Sequence, residues 1–205
     1  MSDFKATLTA ENFMFYETKT LGKLIYQGKS EAEVRKMNKE DNLIKHKKVG
    51  SLTRVMTPIF RRLRVMTPSM LDLFLNEDID TSKMILLYSI MKTDDLFYDF
   101  VKNVYYENIM NRKECIYKSD VDSWYENKIY ESENLKQRSD KTNYKLKQVI
   151  IRIMIDAGLL IKEEDNKGKN TKYKINIPIL RQTFIDALYD ANDIEYASIL
   201  GGKKI

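Results

Sequence analysis

The sequence predicts a mainly α protein, with a helical bundle in the amino-terminal part and a carboxy-terminal winged-helix-like part carrying a small β-hairpin. Three observations predict this class. The 205 residues include only 7 Gly and 3 Pro, with 43% hydrophobic and 32% charged residues, a composition that suits long amphipathic helices better than a strand-rich fold with many turns. Apolar residues recur at three- and four-residue spacing in most segments. Late in the chain, one such helix stops at a glycine and is followed by two β-prone runs around a basic loop. The length allows one domain or two small ones. The expected division is a helical domain over 1–115 and a winged-helix-like domain with a terminal helix and tail over 116–205.

Each element has a local reason. Thr9 caps a helix running to about Gln27, with Phe13, Tyr16, Leu21, Leu24 and Ile25 available for burial, and Gly28 breaks it. Ser30 and Glu33 have capping-box spacing, so a second helix begins there and carries Val34 and Met37 inward. Asp41 to Gly50 is a polar link. The motif Arg-Val-Met-Thr-Pro occurs at 54–58 and again at 64–68, and each Thr-Pro marks a helix start. Ile59, Phe60 and Leu63 then face inward while Arg61, Arg62 and Arg64 project. Pro68 to Leu75 is short and apolar, and Asn76 to Asp80 is an acidic turn. Thr81 to Met91 is the most apolar helix and the expected centre of the fold. Thr93-Asp94-Asp95 caps the next helix, with acids in its first turn as the dipole favours and Leu96, Phe97, Phe100 and Val104 on one side. Ser119 starts a helix that carries Trp124.

The following stretch organises the rest. Ser139 or Asp140 caps a helix on which Leu146, Val149, Ile150, Ile153, Met154 and Ala157 share one face, and Lys141, Lys145, Gln148 and Arg152 share another. Gly158 ends it as a left-handed cap. Two β-prone runs follow, Leu159 to Lys162 and Thr171 to Ile177, joined by a polar loop that contains Lys167 and Lys169. Pro178 opens a last helix with Leu180, Phe184, Ile185 and Leu188 inward, and Gly201 to Ile205 is a disordered tail.

Helix, tight glycine and basic-tipped hairpin form the pattern of a winged helix, whose helix before the wing enters the DNA major groove while the wing tip touches phosphates. The charge is arranged in the same sense. The net charge is only +5, with a pI near 9.0. Yet residues 136–174 hold 11 Lys and Arg against 5 Asp and Glu, and residues 42–71 hold seven basic residues and no acidic one. The first block supplies Lys45, Lys47, Lys48, Arg54, Arg61, Arg62 and Arg64 as candidate DNA contacts. The second supplies Arg138, Lys141, Thr142, Lys145, Gln148, Lys167, Lys169 and Lys172. Tyr144 and Tyr173 fall in the same helix and hairpin, where a base or sugar contact is plausible. The competing reading is structural. Lys-rich helix faces are often plain solvent faces, and arginines at a helix end also pair with its negative pole or with nearby carboxylates.

Chemistry other than binding is poorly served. His46 is the single histidine and Cys115 the single cysteine, so there is no internal disulfide, no four-cysteine or His-based metal site, and no obvious activated nucleophile. Neither glycine-rich phosphate-loop pattern can be written on the chain. No cofactor is expected, and no enzymatic activity. No run of 18 apolar residues exists to span a bilayer, and the amino terminus lacks the order of a secretion signal. The expected location is the cytoplasm.

The order of these pieces resembles the BrxA family, small proteins encoded in BREX phage-defence systems of bacteria. The resemblance covers about residues 7–190. It is carried by LTAENFMFYETKTLGKLIYQGKSEAEV, by Arg61-Arg62-Leu63, and by Ser139-x-x-Thr142 with Lys145, Leu146 and the exit Ala157-Gly158-Leu159-Leu160. No piece is a strict catalytic signature, so the match rests on order and spacing. The resemblance implies a non-enzymatic DNA-binding protein that works with other BREX proteins. It implies an amino-terminal part resembling the transcription antitermination factor NusB and a winged-helix-like carboxy-terminal part. Some members have been labelled inner-membrane proteins, a label this sequence does not support. The chain departs from the family in a longer Lys-rich wing, Glu163 to Lys174. Two other roles fit the same residues: an RNA-binding factor of antitermination type, and a protein–protein adaptor within the defence complex.

Overall fold

Helix α5 (Ile79–Thr93) runs through the centre of the molecule, with every residue from Thr81 to Met91 buried except Lys83. The structure, a computed structural model, describes Phe4, Leu8 and residues 12–46, 52–164 and 171–203. Against α5 pack α3 (Leu52–Arg64) and α4 (Pro68–Asn76), with α1 (Phe15–Tyr26) against both of these and α2 (Glu31–Asp41) against α1 and α3. α6 (Asp95–Phe100) continues through a π-helical segment, Val101–Tyr106, into the short α7 (Glu107–Met110). The mainly helical class expected from composition is the class observed.

The carboxy-terminal half is built on a three-stranded antiparallel sheet in the order β1-β3-β2, with β1 at Cys115–Tyr117, β2 at Leu160–Glu164 and β3 at Thr171–Ile175. Between β1 and β2 lie α8 (Lys118–Glu131), α9 (Glu133–Lys136) and α10 (Asp140–Ala157). The chain ends in α11 (Gln182–Asp190) and α12 (Glu195–Gly201), which return to pack on α4 and on the π-helical segment. One continuous set of buried apolar side chains extends from Phe4 to Leu200.

Most caps form as expected. Ser30 accepts from the Glu33 amide while the Glu33 carboxylate accepts from the Ser30 amide at 2.8 Å. Asp94 accepts from the Phe97 amide at 2.9 Å. Gly158 is left-handed, φ 89°, and the Leu159 amide donates back to Met154 O at 2.9 Å, closing α10 in a Schellman turn.

Several expectations need correction. Thr9 lies outside the described residues, and α1 begins only at Phe15, because Met14 sits in the left-handed region with φ 54°. The shift in start puts Phe15 in the core and leaves Tyr16 exposed. Thr67 caps α4 with Pro68 in its first turn, but Thr57-Pro58 is inside α3. Pro58 there costs a backbone bond, offset by burial of Met56, Pro58, Ile59, Phe60 and Leu63 on one face. α8 starts one residue early, and its first turn is closed by Asp120 accepting from the Tyr117 amide at 2.8 Å. The last helix opens at Gln182 instead of Pro178, and Gly201 belongs to α12. Tyr196, Ala197, Ile199 and Leu200 bury this helix. At Gly202, φ 61°, an added Cβ would meet Ile109 at 2.9 Å, so the chain passes too close for a side chain.

Candidate nucleic-acid interface

The candidate site is the outward face of α10 together with the β2–β3 hairpin. Ser139 fixes where the helix begins, accepting from the Thr142 amide at 3.3 Å, and the Thr142 and Ser139 hydroxyls are 2.9 Å apart. Phase then decides which side chains face out. Leu146, Val149, Ile150, Ile153, Met154 and Ala157 are buried, while Lys141, Tyr144, Lys145, Gln148 and Arg152 are exposed. Arg152 is 69% exposed and pairs with Asp156 at 2.9 Å. A surface pair of this kind is worth at most about 1 kcal/mol, so it does not bar Arg152 from another anion. Lys147 is tied to Asp122 of α8. On β3, Lys172 faces Glu163 across the ladder at 3.0 Å, and Lys174 is exposed.

The helix rests on a rigid frame. The Tyr125 hydroxyl donates to Asn143 Oδ1 at 2.9 Å, joining α8 to the first turn of α10, and burial pushes its phenol up to about 12. The Trp124 indole donates to Asp99 Oδ1 at 2.7 Å and its ring meets Phe100 edge to face at 5.0 Å. Lys128 also pairs with Asp99, at 3.1 Å. Asn176 donates from its side chain to Gly158 O at 2.7 Å, locking the base of the hairpin to the end of α10. Arg138, just before the cap, donates to Asn134 Oδ1 at 3.2 Å.

The first basic block does not form one projecting patch. Arg62, expected on the surface, is completely buried, and its Nη1 donates to Asn12 O and Phe13 O, each at 3.0 Å. It holds the amino-terminal segment against α3 and is not available to a ligand. Arg64 is exposed but forks onto Glu31 at 2.6 and 2.8 Å. Arg61 is half-buried, and Arg54 and Lys45 are exposed. Lys47, Lys48, Lys167 and Lys169 lie outside the described residues. His46, Val55 and Asp156 line one cleft, so the loop bearing Lys45 does approach the carboxy-terminal end of α10.

A groove of about 340 Å³ runs between α8, α10 and the hairpin. Tyr144 stands on its helical side, Tyr173 on its strand side, and Val121, Ile151 and Ile155 form its floor. Lys118, Arg152 and Lys162 lie along it. Helical periodicity overlooked Ile151 and Ile155. They are surplus apolar residues, one or two positions off the core stripe, and that surplus was the available signal.

Among the described residues, no group of three or more His, Cys, Asp or Glu could hold a metal ion, and no helix is long and apolar enough to cross a membrane. Cys115 is a free thiol in β1.

With this geometry in view, the family model described as BrxA matches residues 2–192. The chain belongs to the BrxA family. A relative from Bacillus cereus (strain H3081.97), described as BREX protein BrxA, is 30% identical over 200 residues, covering 98% of this chain and 97% of that one. The fold recurs in a crystal structure of an uncharacterized protein from Magnetospirillum magneticum. It has a TM-score of 0.77 at 17% identity, covering 97% of this chain and 98% of the other. At that identity the likeness shows the fold alone. Membership in BrxA therefore extends over both halves of the chain, including the α10–hairpin unit.

Proposed function

We propose that this BrxA-family protein is a non-enzymatic double-stranded DNA-binding component of a BREX phage-defence system. The α10–hairpin unit acts as a winged helix in this reading. The observation that carries it is the exposed row Lys141, Lys145 and Gln148 on a helix whose start, end and opposite face are all fixed by the core. The sheet order supports it too, since β1, which precedes α8, α9 and α10, pairs with the second strand of the hairpin. Family membership and the description of the B. cereus relative as a BREX protein support the defence role. Other BREX proteins are the expected protein partners, and the helical half, residues 1–115, is the surface left to them.

The mechanism is electrostatic first. Lys141, Lys145 and Arg152, with Lys172 and Lys174 on the hairpin, displace counterions from phosphates. Gln148 can both donate to and accept from a base edge. In the first block, Arg62 takes no part, so Lys45, Arg54, Arg61 and Arg64 are its described contributors, the exposed pair of Arg64 with Glu31 being no more of a bar than that of Arg152 with Asp156. Competition between a labelled duplex, single-stranded RNA and unlabelled duplex tests the reading. Duplex DNA should displace the label, and RNA of equal length should not. Preferential displacement by RNA would instead support the antitermination-type role, and absence of binding at low salt would support a pure adaptor.

A further inference from the structure

We infer that the groove between α10 and the hairpin receives a single unstacked nucleobase of the DNA strand that lies along α10. The inference rests on the winged-helix reading above and goes beyond it, because reading a continuous duplex needs no such groove. Tyr144 is 54% exposed, an aromatic side chain on a helix face otherwise occupied by Lys, Gln and Arg. Tyr173, half-buried, lines the groove from β3, and Val121, Ile151 and Ile155 give its lining an apolar part. The groove volume of about 340 Å³ has room for one base with its sugar.

Charge complementarity selects the occupant. Lys118, Arg152 and Lys162 lie along the groove, and Asp122, the carboxylate among its described lining residues, is held by Lys147. An apolar slot with an aromatic side and a cationic rim matches a base attached to a phosphate, and stacking on one aromatic ring is sequence-tolerant. Gln148 and Arg152 belong to both the groove and the outward face of α10. A strand gripped by that face therefore passes the groove mouth, and a base already unpaired can turn in at small unstacking cost.

The test uses the full chain and two fluorescently labelled duplexes, one fully paired and one of the same sequence with a single 2-aminopurine inserted as a bulge. The bulged duplex should bind about 5- to 150-fold tighter, the range expected for one base stacked on an aromatic side chain, with quenching of the 2-aminopurine signal. Tyr144→Ala should abolish both the preference for the bulged duplex and the quenching, since the stacking contact is lost. Tyr144→Phe should keep both. Equal affinity for the two duplexes, or a preference that survives Tyr144→Ala, overturns the groove inference and leaves duplex binding standing. Failure to bind either duplex overturns the winged-helix reading and this inference with it.

Discussion

Arg62 shows how one residue can look like a ligand contact and act as a strut. Three arginines within four positions suggested a cationic edge, yet the helical phase of α3 turns Arg62 into the core beside Ile59 and Leu63. Its guanidinium satisfies two backbone carbonyls of the amino-terminal segment, a role for which a charged fork is well suited. Replacing Arg62 with Met should destabilise the protein by about 2–4 kcal/mol, because charge-assisted bonds are lost and two carbonyls are left without that donor. Urea unfolding checks the stability, and affinity per folded molecule should be unchanged. A stable Arg62→Met protein with weakened DNA binding would contradict this placement. Arg64 differs again: its fork onto Glu31 is at the surface, and Glu31 also accepts from Arg35.

Elements were legible where a cap and a periodic face coincided. α2, α6 and α10 have both, and their caps at Ser30, Asp94 and Ser139 form as the sequence suggests. Identical local text elsewhere misled. Thr67-Pro68 begins α4, while Thr57-Pro58 sits in mid-helix, because burial of the Pro58 face outweighs the lost backbone bond. β1 was not anticipated, since three residues are too few to show alternation and only pairing with β3 makes them a strand. α12 was missed because two glycines at its end looked like a tail. Asp78 is a sharper test of an element's start. It accepts from the Thr81 amide at 2.9 Å and from Arg181 Nε at 2.6 Å, capping α5 and tethering the entry to α11. The Thr81 amide bond leads the causes that lower its carboxyl from 3.8 to about 2. A depressed carboxyl contributes stability that is full above about pH 5 and lost as pH falls through about 4 towards 2. Asp78→Ala should therefore cost about 1 kcal/mol at neutral pH, the ordinary worth of an N-cap. The gap from wild type should close below about pH 2–3, as followed by urea unfolding across pH; a pH-independent gap would contradict the capping role. In the segment joining β2 to β3, Lys167→Ala with Lys169→Ala should weaken binding to all duplex sequences alike, measured over several unrelated sites. A change in sequence preference would contradict the wing assignment.

Across the whole molecule, the separation of charge along the chain was legible, but its gathering in space was only partly so. The +7 of residues 42–71 is dispersed by folding, with Arg62 internal and Arg64 engaged, whereas Lys141, Lys145 and Gln148 stay exposed together on α10 because the apolar stripe on its other face is buried. Sequence periodicity can assign a side chain to a helix face, but it cannot say which neighbouring carboxylate or carbonyl will meet it. Phosphate neutralisation by the α10 face is the central claim. The most direct measurement is the slope of log affinity against log salt for duplex DNA, compared between the wild-type chain and Lys141→Ala with Lys145→Ala. If about eight phosphates are contacted, wild-type affinity should fall by roughly three to five decades between low and moderately raised salt. The double substitution should reduce the slope by about 2. A wild-type affinity indifferent to salt, or a slope unchanged by losing both lysines, would contradict the account.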